Sequence, residues 1–96
     1  MKNKIIKKLK KHLPEIKSRF KVKEIGVFGS RIKGKAKKSS DIDILVEFEK
    51  GNKTFDNYME LKFYLENLFG CKVDLVLKSA LKEELKQYIL SEVIYV

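Results

Sequence analysis

The segment from Asp41 to Phe48 constrains this chain most, because it sets two aspartates into an otherwise apolar strand. Every second residue of the segment is apolar, namely Ile42, Ile44, Val46 and Phe48. This period of two predicts a β-strand with one buried face. Asp41 and Asp43 are two residues apart, so both carboxylates are expected to project from the same face of that strand.

A third carboxylate, Asp74, lies in a later strand-like segment, Lys72 to Leu77. If the two strands are neighbours, these aspartates come within about 5 Å of one another across the sheet. A pair of like charges 4 Å apart costs about 4 kcal/mol at an effective dielectric of 20, so a cation is expected among them. Oxygen ligands of this kind suit Mg²⁺, which predicts a metal site made by Asp41, Asp43 and Asp74. The simpler alternative is that the aspartates only mark strand ends and turns.

Gly29 and Ser30 directly follow another apolar segment, Val22 to Phe28, which is rich in β-branched residues and predicts a buried strand. Glycine lets the backbone approach a phosphate closely, and exposed amides with the Ser30 hydroxyl could donate to its oxygens. Arg31 could meet phosphate charge in the loop that follows. A lone Gly-Ser pair is more often a simple turn, so its position before the aspartates carries the hypothesis.

The remaining segments predict helices packed on a small sheet. Apolar residues from Ile5 to Ile16 recur at helical spacing, and Pro14 is expected to end that helix. A second helix is predicted from Phe55 to Phe69, with Gly70 as its stop. Ser79 would cap a last helix, which includes Tyr88 at a core-like position and extends to Val93 and Ile94. The predicted fold class is α/β (α+β), with a three-stranded mixed sheet.

Length and composition favour one domain spanning residues 1–96. No apolar run approaches the roughly 20 residues that a membrane span needs. The basic start lacks the apolar stretch of a secretion signal, so a cytoplasmic protein is expected. A single cysteine, Cys71, excludes an internal disulfide and a cysteine-rich zinc site.

The net charge of +9 is unevenly placed along the chain. Residues 1–39 carry 15 Lys and Arg with 2 Glu, whereas residues 40–96 carry 7 Lys and Arg with 11 acidic residues. A basic half can meet a polyanion, or it can simply be a solvated lysine-rich surface. Since no nucleic-acid-binding motif accompanies the charge, direct nucleic-acid binding is not expected.

Gly29-Ser30, ten intervening residues and then Asp41-Ile42-Asp43 resemble the signature of the DNA polymerase β-type nucleotidyltransferases. The longer string from Gly26 to Val46 is similar to the minimal nucleotidyltransferases, called MNT proteins, and the resemblance runs over nearly the whole chain. It implies a polymerase β palm-like fold. It also implies that Asp41, Asp43 and Asp74 are the catalytic, Mg²⁺-binding residues, with two ions, and that Gly29 and Ser30 hold the triphosphate of ATP.

The resemblance further implies a partner and a reaction. MNT proteins commonly pair with HEPN ribonuclease toxins and transfer AMP from ATP to a tyrosine of the toxin. An adenylyltransferase antitoxin in a hetero-oligomer with its HEPN partner is therefore expected, with no membrane contact. Two alternatives stay open: a nucleotidyltransferase with a small-molecule acceptor, and a non-catalytic antitoxin that acts by binding alone.

Overall fold

A computed structural model of the chain describes residues 2–29 and 42–96. The described residues form a sheet of four strands, β1 (Val22–Phe28), β2 (Ile42–Phe48), β3 (Val73–Leu77) and β4 (Ile94–Tyr95), in the order β3-β2-β1-β4. β2 runs parallel to β3, while β1 is antiparallel to both β2 and β4. The predicted mixed α/β (α+β) sheet is confirmed, and the three expected strands lie side by side within it.

In these two ranges three α-helices accompany the sheet: α1 (Lys2–Phe20), α2 (Phe55–Phe69) and α3 (Glu83–Glu92), with a short 3-10 turn at Lys78–Ala80. α2 has the predicted bounds because both of its ends are capped. The Thr54 hydroxyl accepts a hydrogen bond from the Asn57 amide at 3.2 Å. Gly70 adopts a left-handed conformation with φ 68°, and its N–H donates to the Glu66 carbonyl at 2.8 Å.

The core lies between one face of the sheet and the two helices α1 and α2. Apolar residues of all three layers are buried together there, among them Leu9, Ile16, Ile25, Ile44, Val46, Leu61, Leu65 and Leu75. Lysines such as Lys7, Lys8 and Lys11 are exposed on the outer side of α1. Since side chains alternate along a strand, the intervening residues of β2 belong to the opposite face of the sheet.

The expectation that Pro14 ends the first helix is wrong, because α1 continues through it to Phe20. Proline inside a helix removes one backbone hydrogen bond and costs roughly 3 kcal/mol. Leu9 lies before Pro14 and Ile16 after it, and both are completely buried against the sheet. Burying two such side chains contributes about 1.5–3 kcal/mol each, which offsets the cost of the proline.

The end of the chain also differs from the prediction. The last helix ends at Glu92, so Val93 and Ile94 are not helical, and Ile94–Tyr95 adds a fourth strand beside β1. Ser79 lies in the 3-10 turn rather than at the start of α3. Tyr88 is 58% exposed, so its assignment to a core-like position is wrong as well. Two residues are too few to show the alternation that predicts a strand.

Gly26 of β1 makes room for this last strand. A Cβ atom on Gly26 would lie 2.7 Å from Val93 Cγ2 and 2.8 Å from the Ile94 carbonyl oxygen. β4 pairs with β1 at this point, where Tyr95 is the partner of Gly26. The close approach explains why a side chain is absent here.

We therefore expect Gly26→Ala to push β4 off the sheet and to destabilise the protein by about 1–3 kcal/mol, the usual cost of overpacking. Urea unfolding measures the loss, and hydrogen exchange of the Val96 amide, which donates to the Ile25 carbonyl at 3.0 Å, reports on β4 itself. Adding Val93→Ala should recover part of the stability. Unchanged unfolding together with full protection of the Val96 amide would contradict this account.

Candidate active site

Asp43 and Asp74 lie directly opposite each other on the parallel neighbours β2 and β3. Neighbouring strands are about 4.8 Å apart, and opposite residues of a parallel pair share a face, so the two carboxylates project side by side. They lie on the face of the sheet that α1 and α2 do not cover, since their neighbours Ile42, Ile44 and Val73 fill the core. Asp74 is exposed and Asp43 half-buried.

Gly29 brings the end of β1 against this pair. β1 is antiparallel to β2, and its last residue, Phe28, is the partner of Asp43. Gly29 follows with φ 87°, a conformation that side chains rarely adopt, and a Cβ atom there would collide with the Asp43 carboxylate, whose Cγ would be only 2.9 Å away. Glycine is thus required here both by its backbone conformation and by the closeness of Asp43.

The structure therefore brings together three of the six predicted site residues: Gly29, Asp43 and Asp74. The other three, Ser30, Arg31 and Asp41, lie outside the described residues. Within residues 2–29 and 42–96, no three acidic, histidine or cysteine side chains group closely enough to hold a metal ion. The part of the predicted metal site that is described is thus the pair Asp43 and Asp74.

These described residues fit a divalent cation on their donor chemistry. Two carboxylates at directly opposed positions supply hard oxygen ligands, and Mg²⁺ is typically held by one or two carboxylates together with waters and substrate phosphates. The missing side chain at Gly29 lets the Asp43 carboxylate lie directly against the end of β1. The arrangement can hold a metal-bound phosphate between the end of β1 and the start of β2.

An apolar groove of about 550 Å³ lies away from the aspartates, and sequence reasoning missed it. The first turn of α2, the second half of β3 and the 3-10 turn line it, and Phe55, Tyr58 and Leu77 are among its residues. Phe55, the first residue of α2, is 76% exposed at the rim of this groove. The spacing of Phe55 along the chain matches that of the buried residues of α2, so periodicity alone could not show that Phe55 is exposed.

A charged cluster lies further along the same sheet face. Glu24 and Glu47 are partners on β1 and β2, and Lys78 Nζ lies 2.9 Å from Glu24 Oε2 and 4.0 Å from Glu47 Oε1. The hydrogen bond from Lys78 lowers the pKa of the Glu24 carboxyl. It also raises the pKa of Lys78. Glu47 is four residues beyond Asp43, or about 13 Å along the strand, so this cluster is separate from the aspartate pair.

Because the pKa of Glu24 is lower in the folded state, its contribution to stability is present above the unfolded pKa and is lost as the pH falls through the folded pKa. We expect Glu24→Gln to lower the free energy of unfolding at pH 7 and to have no effect near pH 2. The effect should stay below about 1 kcal/mol, since the Glu24 side chain is 42% exposed and solvent screens the pair. Urea titrations at pH 7 and pH 2 measure the free energy of unfolding. An equal loss at the two pH values would refute the stabilising role of the Glu24 carboxylate.

No helix in the described ranges combines the length and apolar character needed to cross a membrane.

Comparison with known proteins shows which family this chain resembles over most of its length. A model of the nucleotidyltransferase domain matches residues 9–96. The protein adenylyltransferase MntA of Thermococcus cleftensis is 51% identical over 85 residues, which are 88% of this chain and 85% of that protein.

Two solved structures are also similar to this chain in fold. A minimal nucleotidyltransferase superposes with a TM-score of 0.80 at 34% identity, covering 93% of this chain and 90% of that chain. A chain from the complex of a tri-AMPylated Shewanella oneidensis HEPN toxin with an MNT antitoxin superposes with a TM-score of 0.58 at 28% identity. That match covers 97% of this chain and 66% of the other.

Proposed function

Because this chain belongs to the nucleotidyltransferase domain family, and within it to the minimal nucleotidyltransferases, we propose that it is a protein adenylyltransferase acting as an antitoxin. Its acceptor would be a tyrosine of a HEPN ribonuclease toxin, and its donor ATP. The similar complex of an AMPylated HEPN toxin with an MNT antitoxin supports this choice of partner and of transferred group.

One observation carries the proposal: Asp43 and Asp74 are directly opposed on parallel strands, and the Asp43 carboxylate lies against the backbone of Gly29 at the end of β1. This combination places acidic oxygen donors beside a position where a phosphate can lie close to the main chain. Nucleotidyl transfer needs both features in one place.

Asp43 and Asp74, with Asp41, would hold Mg²⁺. A bound divalent cation would neutralise the triphosphate and favour ionisation of the acceptor hydroxyl. Mg²⁺ dependence is accordingly part of the proposal, as is the assignment of all three aspartates as ligands.

The residues of the chain itself would bind and orient the triphosphate and would accept the proton of the acceptor hydroxyl. The backbone at Gly29, with Ser30 and Arg31, would hold the triphosphate, so that the α-phosphorus faces the acceptor. The tyrosine oxygen would form a bond to that phosphorus while the bond to pyrophosphate breaks on the opposite side. Asp74 would take the phenolic proton, because its carboxylate is exposed at the start of the edge strand β3, where an acceptor can reach it.

The partner would be bound in a stable hetero-oligomer, and the use of ATP would place the pair in the cytoplasm. The last residues of the chain offer apolar surface for contact with a partner, since Leu85 is 52% exposed and Tyr95 is 41% exposed. In the part of the chain that the structure describes, α3 has no buried residue at all. A helix of this kind gains most of its stability from packing, which a partner would supply.

Peptide mass spectrometry tests the proposal. The chain is incubated with ATP, Mg²⁺ and a HEPN protein sought among the products of the neighbouring genes, with EDTA as the control, and AMP is sought on the tyrosines of that protein. Metal-dependent AMP on a tyrosine, with sedimentation of the two proteins as one complex, is the expected result. If the partner stays unmodified while the complex forms, the chain acts by binding alone and the proposal is wrong.

A further inference from the structure

Among the described residues, Asp74 belongs to an edge strand, and one neighbouring strand, β2, holds its backbone. The N–H and C=O groups of successive strand residues point alternately to the two sides of a strand. The Lys72 carbonyl accepts from the Ile42 amide of β2 at 3.1 Å, so Lys72 and Asp74 direct their backbone groups toward β2. Val73 and Leu75, which flank Asp74, must then direct theirs outward, away from the sheet.

Two side chains of α2 take up these outward groups. Glu66 Oε2 accepts a hydrogen bond from the Val73 amide at 3.1 Å. The Tyr58 hydroxyl donates to the Leu75 carbonyl at 2.5 Å. Both bonds are partly buried, where they are stronger than in water. The residue before Asp74 and the residue after it are thus each tied to the same helix.

α2 can serve as a fixed support because it is itself anchored to the end of α1. Asn57 donates from Nδ2 to the Phe20 carbonyl at 2.7 Å and to the Asn52 carbonyl at 2.9 Å. The two helices and β3 are therefore connected by hydrogen bonds as well as by the core.

We infer that Tyr58 and Glu66 are positioning residues that hold the Asp74 carboxylate opposite Asp43, in register for binding one divalent cation. The inference rests on the proposed function, because it assigns Asp74 as a metal ligand. The groups that orient metal ligands commonly affect metal affinity about 10–100-fold when they are removed. Here they would act through the backbone on either side of the ligand rather than through its side chain.

The test is Mn²⁺ binding to the full chain without nucleotide. The electron paramagnetic resonance signal of free Mn²⁺ measures how much of the metal stays unbound. Tyr58→Phe removes the bond to Leu75, and Glu66→Met removes the acceptor for Val73 while keeping the length of the side chain. Two matched controls lie on the same helix. Tyr64→Phe removes a tyrosine hydrogen bond that does not reach β3, and Glu60→Met removes an exposed carboxylate.

We expect Mn²⁺ affinity to fall about 5-fold in Tyr58→Phe, as for loss of one neutral hydrogen bond, and about 10-fold in Glu66→Met. The controls should bind Mn²⁺ like the wild type, although Tyr64→Phe should unfold at a temperature similar to that of Tyr58→Phe. Hydrogen exchange of the Asp74 amide should quicken in the two test variants only.

Affinities in Tyr58→Phe and Glu66→Met that match those of their controls would overturn the inference. Asp43→Asn separates this failure from failure of the proposed function. If Asp43→Asn abolishes Mn²⁺ binding while the positioning variants bind normally, the metal site stands and only the positioning role falls. If Asp43→Asn binds Mn²⁺ as well as the wild type, the proposed metal site falls, and the positioning role with it.

Discussion

Asp43→Asn is expected to reduce adenylyl transfer roughly 1000-fold without unfolding the protein. Metal coordination at the reacting phosphate is worth several kcal/mol, and a loss of about 4 kcal/mol corresponds to this factor. Asparagine keeps the size of the side chain but removes its charge beside Asp74 and against Gly29. Stability should change little, because the loss of a like charge beside Asp74 is stabilising, whereas the Asp43 carboxylate also gives up interactions of its own.

The rate of AMP incorporation into the partner, measured at saturating ATP and Mg²⁺, checks this expectation. Asp56→Asn is the matched control, because Asp56 is an exposed aspartate in the first turn of α2. That change should cost a few tenths of a kcal/mol in stability through the helix dipole and nothing in transfer. A loss of transfer below about 10-fold in Asp43→Asn would mean that the pair of aspartates is not the catalytic site.

Gly29→Ala is expected to lower transfer about 100-fold, the typical cost of displacing a reacting group by about 1 Å. A methyl group at Gly29 would collide with the Asp43 carboxylate, and either that side chain or the end of β1 must move. The triphosphate would also lose its close approach to the backbone. Equilibrium binding of ATP should therefore weaken together with the rate.

Gly51→Ala separates this collision from the cost of the backbone conformation. Gly51 has φ 85°, nearly the same as the 87° of Gly29, but a Cβ atom there would meet nothing within 4 Å. Both substitutions should destabilise the protein by roughly 1–2 kcal/mol, since both force a side chain into a left-handed conformation. Only Gly29→Ala should lose activity, and equal losses in the two variants would point to general destabilisation instead.

The parts of this fold that sequence could predict are those with a local signal. The alternation of Ile42, Ile44, Val46 and Phe48 predicted β2, and it placed Asp43 on the face opposite the core. The bounds of α2 followed from Gly70, whose left-handed conformation ends the helix as expected. Asp74 was expected on a neighbouring strand and lies on one. Periodicity could not specify that Asp74 lies directly opposite Asp43.

The remaining features depend on contacts between distant parts of the chain. β4 has only two residues and depends on the space at Gly26, about 70 positions earlier in the sequence. Pro14 is tolerated because α1 is buried on both sides of it, whereas local preference favours a break. The bonds from Tyr58 and Glu66 to β3 require the helix to pass beside the edge strand, and no pattern encodes that. The roles of all six site residues remain predictions, and three of these residues, Ser30, Arg31 and Asp41, lie outside the described part of the chain.

A comparison of α-labelled and γ-labelled ATP tests the central claim most directly. The chain and its HEPN partner are incubated with Mg²⁺ and either label, beside the Asp43→Asn variant, and the labelled proteins are separated by electrophoresis. Adenylyl transfer predicts that the partner acquires the α-label and that the γ-label leaves as pyrophosphate. The Asp43→Asn variant should neither label the partner nor release labelled pyrophosphate. Label on the partner from γ-labelled ATP, or α-label that persists undiminished in Asp43→Asn, would contradict the account.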